Sequence, residues 1–194
     1  MSYSQLTINE FLQKLSSSDS MPGGGVASAL VAANGISLTL MVCNLSIGKE
    51  KYKENESLII SVKESALKLQ EKFLSLMDKD AETFKIMEDV FSMPNKTDEE
   101  KNLRKIKMQE ACKVCCAVPK EVIENAIEGV KLTSSLYGKS NKSAESDLVV
   151  GNILLRTAIE GAWQNILINL KYIDDDKFIE EYDKFGKYVM TFLQ

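Results

Sequence analysis

Between Met21 and Gly48 the chain carries no charged residue, and the 22 positions from Val26 to Ile47 read as one uninterrupted apolar helix. That length suffices to cross a bilayer. The run nevertheless contains Ser28, Asn34, Gly35, Ser37, Thr39 and Asn44, and much of its apolar content is alanine. Polar groups in that number are costly in lipid. The better reading is a buried central helix whose Ala, Gly and Ser residues let neighbours pack closely, and no membrane is expected. Immediately before it stands Pro22-Gly23-Gly24-Gly25. Bare amides at a helix start form a ready anion site, since the first N–H groups lack partners and the dipole is positive there. Glycine also lets a ligand approach the backbone closely. The same residues suit a plain turn followed by a Pro-marked helix start. Neither GxxxxGK[ST] nor a strand-preceded glycine loop is present.

The rest of the chain reads as further helices wrapped around this one. A capping box at Thr7-Ile8-Asn9-Glu10 predicts a first helix from Ile8 to about Leu15. Lys49 to Asn55 is a polar junction. From Leu58, Val62, Ala66, Leu69, Phe73, Met77, Phe84, Met87 and Phe91 follow steps of three and four. The single gap of seven, between Met77 and Phe84, is filled in step by Asp80. Periodicity therefore puts a carboxylate on the core side of a long helix, which Met93-Pro94 ends. Thr97-Asp98-Glu99-Glu100 caps the next helix, and Pro119 either kinks it or opens another. A polar loop spans Thr133 to Lys142. Ser143 or Ser146 is expected to cap a helix reaching about Tyr172. Asp174-Asp175-Asp176 suits the start of a last helix over Phe178 to Phe192. The expectation is an all-α, single-domain helical bundle over residues 1–194, with a long buried central helix.

Composition removes whole classes of chemistry. There is no histidine among the 194 residues, so an imidazole base, a His triad and a His-ligated zinc are excluded, leaving carboxylates, lysines, tyrosines and thiols for proton transfer. The net charge of −4 and the lack of a basic block disfavour nucleic acid. Cys43, Cys112, Cys115 and Cys116 read as free thiols of a helical core in a reducing cytoplasm. Cys112-x-x-Cys115 has no second pair to complete a metal site, and no metal is expected.

A carboxylate on an apolar stripe loses hydration, which raises its pKa and suits Asp80 to acid–base work near neutrality. It could equally be satisfied by a neighbouring cation or helix end. Asn165 and Asn169, spaced i, i+4, share one face of an otherwise apolar helix; they could bind a heterocycle or simply tie helices together. Asp147 sits near the helix start, where it complements the dipole. Lys49, Lys51, Lys139 and Lys142 flank loops and could meet an anion.

Taken together, several collinear segments resemble the cyclodeaminase/cyclohydrolase family, which comprises the cyclodeaminase half of formiminotransferase-cyclodeaminase and stand-alone methenyltetrahydrofolate cyclohydrolases. They are Pro22-Gly23-Gly24-Gly25, Met41-Val42, Leu45-Ser46-Ile47-Gly48-Lys49 with Tyr52, Asp80-Ala81-Glu82-Thr83-Phe84, Met93-Pro94, Ala117-Val118-Pro119, Asn141 to Asp147, and Asn165-x-x-x-Asn169-Leu170. Departures fall at Met21, where the family often has Thr, and Val26, where it has a smaller residue.

The resemblance implies a helical homodimer with a folate site partly at the subunit contact, and a tetrahydrofolate derivative as substrate with no permanently bound cofactor. Cyclodeamination of 5-formimidoyltetrahydrofolate to 5,10-methenyltetrahydrofolate and ammonia is the first expectation. Hydrolysis of the methenyl compound to 10-formyltetrahydrofolate is the alternative, and a non-catalytic folate-binding scaffold the second. On this reading Asp80 and Asp147 are the catalytic carboxylates. Pro22, Gly23, Gly24, Gly25, Lys49, Tyr52, Lys139, Asn141, Asn165 and Asn169 bind substrate. The lysines and glycine amides would hold its tail of one or more glutamates.

Overall fold

The computed structural model describes residues 2–193, which form helices and connecting turns with no strand among them. The element α1 (Ile8–Leu15) begins at the expected capping box: Thr7 accepts from Glu10 N–H and the Glu10 carboxylate reaches back to Thr7 N–H. The central helix α2 (Gly24–Ser46) starts two residues earlier than the apolar pattern predicts, because two of the glycines already belong to it. A short 3₁₀ turn over Glu50–Asn55 replaces the polar junction. It leads into α3 (Glu56–Ser92), whose 37 residues span roughly 55 Å.

Another capping box, Thr97 with Glu100, opens α4 (Asp98–Cys115). Pro119 does not kink this helix; it falls in the first turn of α5 (Ala117–Ser135), where a missing N–H costs nothing. The helix α6 (Glu145–Leu170) is capped by neither Ser143 nor Ser146. Ala144 precedes it, and Asn141 instead accepts from Ser143 N–H to cap the 3₁₀ turn before it. Asp175, accepting from Lys177 and Phe178 N–H, caps α7 (Asp176–Met190).

The fold is organised by the approach of α2 to α6. A Cβ on Gly35 would lie 2.8 Å from Gly151 O, and one on Gly151 would lie 2.9 Å from Gly35 O. Nearer the start of α2, Ser28 meets Gly161 and Gly24 meets Asn165, so the two helices run antiparallel with small residues at every crossing. This close packing lets so apolar a helix bury its side chains inside the fold: Val26, Ala29, Ala32, Ile36, Val42 and Cys43 are fully enclosed. Around the pair, α3 buries its stripe from Ile59 to Met77, and Gln70 Nε2 donates to Ser37 Oγ at 2.6 Å. Thr39 and Thr133 share a buried hydrogen bond of 2.7 Å that joins α2 to α5. Trp163 fills the space left by Gly186 of α7. The stripe prediction fails at its far end, where Phe91 is 53% exposed.

Candidate active site

Asp80 of α3 faces the first turn of α2. A Cβ on Gly25 would fall 2.4 and 2.6 Å from the two Asp80 carboxylate oxygens, so any side chain there must push that carboxylate aside. Two influences act on that carboxyl. Burial raises its pKa, and the Val26 N–H at the positive end of α2 lowers it; burial prevails, holding Asp80 at about 6. The anion that the helix start attracts is thus in part the protein's own side chain.

Asp80 lies in a cavity of about 280 Å³ reached from the Ser20–Met21 loop. Thr83, Phe84 and Met87 of α3 form one wall, with Phe91 at its end. Cys115 and Pro119, at the junction of α4 and α5, form another, and Asn165, Ile168 and Asn169 of α6 a third. Asn165 Nδ2 donates to Gly161 O at 2.8 Å and Asn169 Nδ2 to Asn165 O at 2.7 Å. Each amide spends one of its two N–H donors on its own helix, which leaves the other and the carbonyl oxygen available, the latter as an acceptor. The site therefore combines a flat apolar slot, two acceptors and one carboxylate of near-neutral pKa.

Among the predicted site residues, the fold brings Gly23, Gly24, Gly25, Asp80, Asn165 and Asn169 together in this cavity. Pro22 is buried behind it and does not line it. Lys49, Tyr52, Lys139, Asn141 and Asp147 are elsewhere. Asp147 and Asn165 stand 18 positions apart on one helix, or about 27 Å. At that far end Asn141 N–H donates to Ser46 Oγ at 2.8 Å, Asn141 Nδ2 donates to Leu45 O at 3.2 Å, and Lys142 N–H donates to Tyr52 OH at 3.2 Å. Within one chain these residues tie the end of α2 to the α5–α6 connection.

Cys115 is the wall residue that sequence reasoning assigned to the core. Burial pushes its thiol up to about 11, with Cys112 and Asp80 adding to the effect, so it contributes a neutral, polarisable surface. Among the described residues no three Cys, Asp or Glu side chains converge as a metal cage requires.

A family model described as formiminotransferase-cyclodeaminase matches residues 7–185. The chain belongs to that family. The family member named methenyltetrahydrofolate cyclohydrolase from Methylorubrum extorquens is 37% identical over 175 residues, covering 90% of this chain and 84% of that protein. Formimidoyltransferase-cyclodeaminases from Gallus gallus and Mus musculus are 29% and 30% identical, and the chain spans 32% of each. A crystal structure of formiminotetrahydrofolate cyclodeaminase from Thermotoga maritima shares the fold, with a TM-score of 0.85 over 97% of this chain at 24% identity.

Proposed function

We propose that this protein hydrolyses 5,10-methenyltetrahydrofolate to 10-formyltetrahydrofolate, with Asp80 as the proton carrier. The observation that carries the reading is a carboxylate of pKa about 6 held inside an apolar slot. At neutral pH such a group is mostly ionised and still basic enough to accept a proton, the state a general base needs. It also places a negative charge beside a cationic amidinium-like carbon. Water adds to the methenyl carbon as Asp80 takes one of its protons. As the bond from that carbon to N5 breaks, the Asp80 proton passes to N5. The adduct's hydroxyl proton leaves to solvent, so one proton is released per turnover. The free carbonyls of Asn165 and Asn169 suit the N–H donors of a reduced pterin.

Similarity along most of a stand-alone cyclohydrolase favours hydrolysis over the cyclodeamination that the sequence first suggested. The second reading retains support from the cyclodeaminases in the family. Absorbance separates them, since the near-ultraviolet band of methenyltetrahydrofolate decays on hydrolysis and grows on cyclodeamination. Asp80→Asn is nearly isosteric and is expected to lower kcat by 10²–10⁴-fold. A folded variant retaining a tenth of the wild-type rate refutes the role.

The working unit in this proposal is a homodimer joined through α2 and α6. Met41 and Leu45 of α2 and Val150 and Ile153 of α6 leave apolar side chains in solvent, Ile153 by 56%. A cavity of about 280 Å³ is also at the small end for a ligand of folate size. A two-fold axis across this antiparallel pair would lay the partner's end carrying Lys49, Tyr52, Lys139, Asn141 and Asp147 near the Asp80 cavity of its mate. Ile153→Glu is expected to give an inactive monomer by light scattering. Mixing inactive Asp80→Asn with inactive Asp147→Asn chains should restore about a quarter of wild-type activity if each site draws on both chains.

A further inference from the structure

Two clefts of opposite charge flank the Asp80 cavity. One shares Ser20 and Met21 with it and is lined by Asp19, Asp78, Glu82 and Glu88, with Lys85 the opposing cation. The other, of about 390 Å³, lies between the ends of α3 and α6 and one face of α4, where Lys101, Arg104, Lys105 and Lys171 gather around Asp174. Lys105 pairs with Asp174 at 2.8 Å and Lys101 with Asp98 at 3.3 Å. Arg104 gives Nε to Val90 O and Nη2 to Phe91 O, each at 3.1 Å, with N–H groups to spare. Among the described residues Lys171 makes no ion pair. Four cations thus face two carboxylates.

The separation of this groove from the cavity can be read along α4. The backbones of Lys105 and Arg104 lie ten and eleven positions from the cavity-lining Cys115, about 15–17 Å, a difference their long side chains can span. Met108, at the edge of the groove, lies seven positions, or about 10 Å, away. An aromatic ring followed by an amide spans roughly the same distance at ordinary bond lengths. In a folate that spacer separates the reacting one-carbon unit from the terminal carboxylates. Within one chain, a ligand whose reactive carbon sits at Asp80 has these two clefts for its anionic end, and the acidic one repels it.

We propose that the groove formed by Lys101, Arg104, Lys105 and Lys171 is the subsite for the glutamate carboxylates of the substrate. This rests on the folate reading above. It moves the tail away from the glycine amides, which face Asp80, and from Lys49 and Lys139, which lie at the far end of the same chain and would reach this cavity only from the partner in the proposed dimer. Because the groove is open, its contacts are individually weak and screened by salt.

The test uses Lys105→Gln/Lys171→Gln with two substrates: 5,10-methenyltetrahydrofolate and the corresponding tetrahydropteroate derivative, which lacks glutamate. The expected result is a KM for the folate raised about five- to tenfold, kcat changed less than twofold, and an unaltered KM for the tail-less compound. The variant should also lose most of the wild-type increase of KM with sodium chloride. An equal change with both substrates, or none with either, overturns the proposal. So does a glutamate-selective rise in Lys49→Gln/Lys139→Gln that is missing from the groove variant. If the wild-type protein turns over neither substrate, it is the folate reading that has failed.

Discussion

Asp80→Asn should make the protein more stable while disabling it, and the gain should grow as pH rises from about 4 to 6. Burial raises the folded-state pKa of Asp80 from 3.8 to about 6. The folded chain therefore holds this proton more tightly than the unfolded one. A carboxyl shifted upward has its most favourable effect at low pH, and stability falls as pH rises from about 4 to 6. Two pKa units at about 1.4 kcal/mol each bound the loss near 3 kcal/mol, and access of solvent through the cavity reduces this to about 2. Asparagine fills nearly the same space and does not titrate. Relative to wild type, and apart from a constant cost of burying its amide, the variant should gain about 2 kcal/mol at pH 7.5 and roughly a third of that at pH 4.5. For a chain of this length that corresponds to roughly 4–8 °C in Tm. Paired melts at pH 4.5, 6 and 7.5, at one protein concentration, read the difference directly. Any cost of burying the amide hydrogens is the same at each pH and drops out of the trend. A difference that does not change with pH would refute the claim that a desolvated carboxylate without an ion-pair partner sits there.

Three further outcomes follow from the same geometry. Gly25→Ala forces the Asp80 carboxylate aside by about 1 Å and should cut kcat by about 100-fold while the fold survives; a rate within threefold of wild type contradicts the tight approach. Wild-type kcat should rise with pH to a plateau, half-maximal near 6, because the ionised form of Asp80 is the base; a flat profile from pH 5 to 8 removes it from that role. Gly35→Ala sets a methyl 2.8 Å from Gly151 O and 2.9 Å from Leu155 Cγ, neither free to swing away, and should lower stability by about 1–2 kcal/mol net of alanine's better helix propensity, measured by denaturant unfolding.

Much of the fold was legible in local pattern. Thr7 with Glu10 and Thr97 with Glu100 mark helix starts within the residues involved, because a capping box is closed by neighbours three positions apart. The 3- and 4-residue steps of α3 put Asp80 on the inner face without reference to any other helix. Asn165 and Asn169 were paired by the same geometry. Ser143 and Ser146 misled because Asn141 ends the loop in a 3₁₀ turn that supplies a different cap.

What the sequence alone determined, then, was which side chains share a helix face, since a helix is built from contacts between residues a few positions apart. Tertiary structure decided which faces meet. Only the packing of α2 on α3 and α6 places the glycine turn against Asp80 and Asn165, and within one chain it leaves Lys49, Asn141 and Asp147 at the other end, Asp147 about 27 Å from Asn165. The opposite charges of the two clefts also arise between helices distant in the chain. Such juxtapositions depend on close packing of small residues across the core, which no short-range period encodes.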